Sequence, residues 1–114
     1  MTINCIFCSI IQGQSPAHLH FEDETCIAFS TNRPISPVHV LIVPKKHIAS
    51  VNDLEESDEP IMGRLFSVAR RLAIDLGIAE AGYRLVINTG PDGGQSVYHI
   101  HVHLIGGRHL PFLL

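Results

Sequence analysis

The sequence predicts one α+β domain over residues 1–114, with a mainly antiparallel sheet. Three observations carry that expectation. Apolar residues recur at helical spacing through Ile61, Leu65, Val68, Leu72 and Leu76, which marks one long helix with a core-facing stripe. Short apolar or β-branched runs set off by turn residues mark strands at Ala17–Glu22, Thr25–Ser30, Val38–Val43 and Tyr83–Asn88. Tyr98–Ile105 alternates apolar residues with histidine, which is the period of a strand.

In chain order, Asn4 to Gln12 combines two cysteines with apolar residues and is expected to form a short helix. The first two strands meet at Asp23-Glu24, a hairpin signal, and Cys26 should be buried there as a small apolar residue. Pro34 and Pro37 keep residues 31–37 in a loop. Val38–Val43 is ended by Pro44, as a buried central strand would be, and His39 falls in phase with Leu41 and Val43. Ser57-Asp58-Glu59-Pro60 reads as a helix start, with a capping side chain, acids in the first turn and a proline near the first helical position. Gly77 stops that helix. Gly90-Pro91-Asp92-Gly93-Gly94 forms a loop that runs into the histidine strand. No repeat or linker interrupts the chain.

Composition excludes several classes of partner. Eight Lys and Arg against eleven Asp and Glu leave a net charge of −3, which gives no footprint for nucleic acid or an anionic membrane. No apolar run approaches the roughly 20 residues of a membrane span, and no basic, apolar leader opens the sequence, so a cytoplasmic protein is expected. The outlying count is eight histidines, as many as Lys and Arg together. Histidine transfers protons, attacks electrophiles and ligates metals near neutral pH.

They fall at positions 18, 20, 39, 47, 99, 101, 103 and 109. On a strand His99, His101 and His103 would share one face, roughly 6.5–7 Å apart, with Tyr98, Ile100, Val102 and Leu104 on the core side. Such a row is either a set of solvated polar positions, a metal site or a catalytic face. The preceding glycines also fit a plain hairpin connection, yet such loops form anion-binding nests, and Gln95 and Ser96 add donors beside the imidazoles. A donor-rich loop entering an aligned row of imidazoles points to a phosphate held beside a nucleophile.

The segment from Gly93 to Ile105 resembles the histidine triad (HIT) superfamily, whose motif is His-φ-His-φ-His-φ-φ with φ apolar. Further matches cover Cys5 to Cys8, Glu22-Asp23-Glu24, Ala28-Phe29, His39 through His47 and Gly82-Tyr83-Arg84, so coverage runs from about 5 to 108. His103 at the third triad position and Gly106-Gly107-Arg108 after it are similar to the histidine triad nucleotide-binding (Hint) branch. The resemblance implies a five-stranded α+β fold, sheets joined across a homodimer, and metal-free hydrolysis of purine nucleoside 5′-phosphoramidates such as those of AMP and GMP. It implies His101 as nucleophile, with His103, His99 and His39 as catalytic partners, and Asn88, Gly94, Gln95 and Ser96 as substrate contacts. The physical chemistry agrees: a neutral imidazole needs no strong base to attack phosphorus, and His103 is the reading for the general acid. Dinucleoside polyphosphate hydrolysis and a nucleotide-binding module with little turnover are the alternatives.

Cys5-Ile6-Phe7-Cys8 has the spacing of half a zinc site, or of two helix-face thiols packed as small hydrophobes. The resemblance implies Cys5, Cys8, His47 and His99 as ligands of a structural zinc. The chain also departs from the pattern. Phe29 is followed by Ser30-Thr31-Asn32, where the family usually has an acid that binds the ribose. The tail from Arg108 to Leu114 is short and has no tryptophan. His18, His20 and His109 are expected to be surface residues outside any site, and Lys45 and Lys46 to be solvated.

Overall fold

The computed structural model describes residues 4–112. Its elements are α1 (Ile6–Ile11), β1 (Leu19–Glu22), β2 (Cys26–Ser30), β3 (Val38–Pro44), α2 (Glu59–Asp75), β4 (Tyr83–Val86) and β5 (Val102–Gly106). The five strands make one antiparallel sheet in the order β1-β2-β3-β5-β4, as the α+β reading requires.

Alternation along the two inner strands sorts the molecule into layers. Val40 and Ile42 of β3, with Val102 and Leu104 of β5, face a core closed by Leu65, Val68 and Leu72 of α2. Leu41 and Val43 face the other way, with Ile27 and Phe29 of β2, and pack under Phe7 of α1. His39 and His103 share that second face, so sequence parity alone puts them on the side of α1.

Buried Asp58 precedes α2 and its carboxylate accepts from the Glu55 N–H at 3.0 Å and from Lys46 Nζ at 2.6 Å. Lys46 is therefore committed to a buried acid, and Lys45 pairs with Glu22 at 2.8 Å, so neither is simply solvated. Gly77, at φ +76°, takes the left-handed conformation that ends α2, and the Ile78 N–H returns to the Ala73 carbonyl at 2.9 Å.

The largest departure from expectation lies in the histidine segment, where β5 begins at Val102 and not at Tyr98. The ladder has no room to start earlier. The last β3–β5 partners are Ile42 and Val102, and β3 closes at Pro44, which has no N–H to offer. The Ile100 N–H bonds Ile48 O at 2.7 Å instead, and Tyr98 is exposed rather than core. Similarly β4 stops at Val86, short of Asn88, and α1 is narrower than Asn4–Gln12 because Cys5 is its N-cap. Cys26 is fully buried, as its apolar company requires. Leu113 and Leu114 of the tail lie outside the described residues.

Candidate active site and metal-ligating cluster

The α1 face of the sheet carries a cleft of about 840 Å³ whose wall includes His39, His101, His103 and Ser96. The His101 and His103 rings lie tilted at 55° with centroids 4.9 Å apart, and Phe7 meets the His101 ring edge-on at 5.0 Å. Phe7 was invisible as a site residue in the sequence; its place between the two cysteines was the available signal.

Backbone groups fix the protons on these rings. His101 Nδ1 lies 2.8 Å from the His99 carbonyl, which can only accept, so Nδ1 carries the hydrogen and Nε2 keeps its lone pair. The Ile35 N–H donates to His39 Nδ1 at 3.2 Å, so neutral His39 bears its proton on Nε2 and donates it to His103 Nδ1 at 2.9 Å. His103 is then left with Nε2–H as a donor. Arg108 supports this arrangement from outside, with Nε and Nη2 donating to the Ile35 carbonyl at 3.2 and 3.0 Å.

Burial holds all three rings neutral at pH 7. It lowers the pKa of His101 and of His39, and with His101 and His39 adding it takes His103 from 6.5 to about 4. Folding thus opposes protonation of His103. That contribution to stability is complete above pH 6.5 and is lost as pH falls toward 4. Urea midpoints should drop across this window, and His103→Gln should flatten the drop. An unchanged slope in that variant would assign the acid sensitivity to other groups.

The loop before the triad is built as a rigid unit. Gln95 is buried, its Nε2 donating to Ala49 O at 2.7 Å and Val97 O at 3.1 Å, and its Oε1 accepting from the Gly90 N–H at 3.0 Å. Asn88 Nδ2 donates to Gly93 O at 2.8 Å, and Gly94 sits at φ +78°. The side chains of Asn88 and Gln95, expected at the substrate, are turned into the loop because its glycine-rich backbone has no ladder to satisfy it. A Cβ on Gly93 would lie 2.2 Å from Thr89 O. Gly93→Ala should therefore cost about 1–3 kcal/mol, read as a lower melting temperature. His18, expected outside any site, borders the cleft beside Thr31, Asn32 and Arg33.

His99 turns its ring away from the cleft. The ligand atoms of Cys5, Cys8, His47 and His99 all lie within 4.8 Å of one another. Cys5 Sγ–His99 Nδ1 is 3.4 Å, Cys8 Sγ–His47 Nδ1 is 3.3 Å, Cys8 Sγ–His99 Nδ1 is 3.6 Å, and the two Nδ1 atoms are 3.1 Å apart. A tetrahedron with zinc–sulfur bonds of about 2.3 Å and zinc–nitrogen bonds of about 2.05 Å has edges near those lengths. His99 Nε2–H donates to Pro44 O at 2.7 Å, which frees Nδ1 as the ligand atom and supplies the outer-shell support such ligands require. The four residues fit a closed Cys₂His₂ metal site.

An antiparallel sheet with His39, His101 and His103 converging on one cleft and a cysteine-histidine cluster behind it defines a compact class of protein, and comparison identifies it. The HIT domain model matches residues 12–110, and the chain belongs to the HIT family. A purine nucleoside phosphoramidase of Escherichia coli strain K12 is 44% identical over 110 residues, covering 96% of this chain and 92% of that protein. A HIT family hydrolase from Legionella pneumophila Philadelphia 1 superposes with a TM-score of 0.95 at 48% identity, over 96% of this chain and 98% of the other. A zinc-bound histidine triad family protein from Mycobacterium smegmatis superposes at 0.81 with 31% identity, over 97% and 80%.

Proposed function

We propose that this HIT-family hydrolase cleaves the P–N bond of purine nucleoside 5′-phosphoramidates through a nucleotidyl-histidine intermediate. The observation that carries the reading is the pairing of His101, with its Nε2 lone pair free beside the cleft, and His103, with Nε2–H as donor. The cleft's apolar wall at Phe29, Leu41 and Ile10 suits a purine base, and Ser96 beside His101 suits a phosphoryl oxygen.

Nε2 of His101 attacks phosphorus in line as the P–N bond breaks. When the phosphoryl anion binds, a proton taken up at His39 Nδ1 in place of the Ile35 N–H contact lets the His39 Nε2 proton pass to His103 Nδ1, and the resulting His103 imidazolium gives its Nε2 proton to the departing nitrogen. Neutral His103 then accepts a proton from the water that opens the phosphorus–His101 bond, releasing the nucleoside monophosphate. His39 orients His103, and His99 acts on His101 through its carbonyl rather than its ring. This division differs from a common catalytic role for all four rings.

A structural zinc on Cys5, Cys8, His47 and His99 would rigidify the segment bearing His101 and take no part in the reaction. The sheet ends on β4 at one edge, and Tyr83 of β4 with Phe66 and Ile74 of α2 expose apolar surface, which supports a homodimer. The free cysteines support a cytoplasmic setting. Among the described residues no helix is long and apolar enough to cross a membrane.

The test is turnover of adenosine 5′-phosphoramidate, followed as AMP and ammonia, with AMP affinity measured in parallel. Tight AMP binding without turnover would favour a binding module over an enzyme.

A further inference from the structure

We propose that the cleft takes nucleotides that carry a second phosphate, esterified to the 2′ or 3′ oxygen of the ribose, and that Arg33 holds it. The inference rests on the nucleotide reading above and narrows its substrate class.

Most cations of the chain are already committed. Among the described residues Lys45, Lys46, Arg64 and Arg71 each pair with a carboxylate. Arg84 donates to Pro111 O, and Arg108 to Ile35 O. Only Arg33 and Arg70 have no side-chain partner there; Arg70 lies on the exposed side of α2, and Arg33 lines the cleft. Among the described residues no carboxylate lines the cleft with it, although acids outnumber bases in the whole chain. Among the described residues of that wall, Arg33 is the one with a permanent charge.

Position in the sheet says which part of a nucleotide it would meet. His103 is on β5, His39 is on β3, and Ser30 ends β2, with residues 31–33 following it toward β3. Moving from β5 to β2 leads away from the phosphoryl-transfer residues toward the apolar wall at Phe29. The sugar would span that interval, and Arg33, in the loop that leaves β2 and bonds His39 through the Thr31 and Ile35 N–H groups, would meet it from that side. The loop is ordered locally: the Arg33 N–H donates to Thr31 Oγ1 at 3.2 Å, and Ser30 Oγ is bonded to His20 Nε2 at 2.8 Å.

Chemistry selects the group. A free ribose diol is a donor best met by a carboxylate, and none is present among the described residues of this wall. A guanidinium offers only donors, in a fork that matches two phosphate oxygens. Dinucleotide-binding folds make the same choice, an acid for the 2′-hydroxyl or an arginine for the 2′-phosphate.

Calorimetric titration of the intact protein with AMP, adenosine 2′,5′-bisphosphate and adenosine 3′,5′-bisphosphate tests this. One of the two bisphosphates should bind about tenfold tighter than AMP at low salt, a gain that shrinks as ionic strength rises. Arg33→Gln should bring the preferred bisphosphate to parity with AMP, and Arg33→Lys should keep part of the preference. Bisphosphates that bind no tighter than AMP, or a preference that survives Arg33→Gln, would overturn the proposal while leaving the nucleotide site intact. Failure of AMP itself to bind would overturn the nucleotide reading and this proposal with it.

Discussion

Replacing His101 by alanine is expected to lower phosphoramidate turnover by about 10⁴-fold or more while nucleotide binding stays measurable. The size of the effect follows from the geometry. Among His39, His101 and His103, His101 is the one whose free nitrogen is an acceptor, because the His99 carbonyl claims the proton at Nδ1. His103 cannot substitute for it, since His39 occupies its Nδ1 and leaves a donor outward. Acid-quenched mass spectra of protein mixed with substrate should show a nucleotidyl adduct in the parent and none in His101→Ala. An adduct that persisted in the variant would remove His101 from the role of nucleophile.

Metal removal is expected to have the second largest effect, on stability rather than on chemistry. One zinc per chain should be found in untagged protein, and Cys8→Ser should lose it. The linkage is direct, because a ligand that binds only the folded state stabilises it by about 4 kcal/mol at a thousandfold excess over its dissociation constant. For a domain of this size that corresponds to a melting temperature lower by roughly 15 °C. Calorimetric scans with and without chelator measure it, with turnover recorded on the same samples. A full complement of zinc in Cys8→Ser, or a melting temperature indifferent to chelation, would return the cluster to ordinary packing of two thiols and two imidazoles. The cluster also reaches the cleft indirectly, because His99 gives its ring to Cys5, Cys8 and His47 and its carbonyl to His101.

The parity of β3 and β5 made the fold and the shared face of His39 and His103 legible in the sequence, whereas the expected common face of His99 with them did not form. Val40, Ile42, Val102 and Leu104 alternate with His39, Leu41 and His103, and the sheet keeps that alternation. The four residues of the metal-ligating cluster were legible too, through the spacing of Cys5 and Cys8 and the family pattern. What local pattern could not reveal was where the ladder starts. The histidine segment looks like a strand from Tyr98 onward, but a proline on the neighbouring strand, far away in sequence, decides that pairing begins at Val102. The same limit applies to Gln95 and Asn88. Their residue types suit a ligand, and only the folded loop shows that Gly90, Gly93, Ala49 and Val97 need those groups first. Lys46 and Asp58 met for a similar reason, through a burial that neither neighbourhood announced.

The strand order has a kinetic consequence. β5 lies between β3 and β4, and it can join β3 only after the chain carrying α2 and β4 has closed into a long loop. Closing that loop costs entropy before any inner-strand contact repays it, so pairing of β3 with β5 belongs to the slow, non-local part of folding. His39 and His103 bond across that pairing. A partly folded chain that has formed α2 and the β1–β2–β3 meander still holds the two imidazoles apart. Recovery of activity after denaturant dilution therefore tracks completion of the whole sheet.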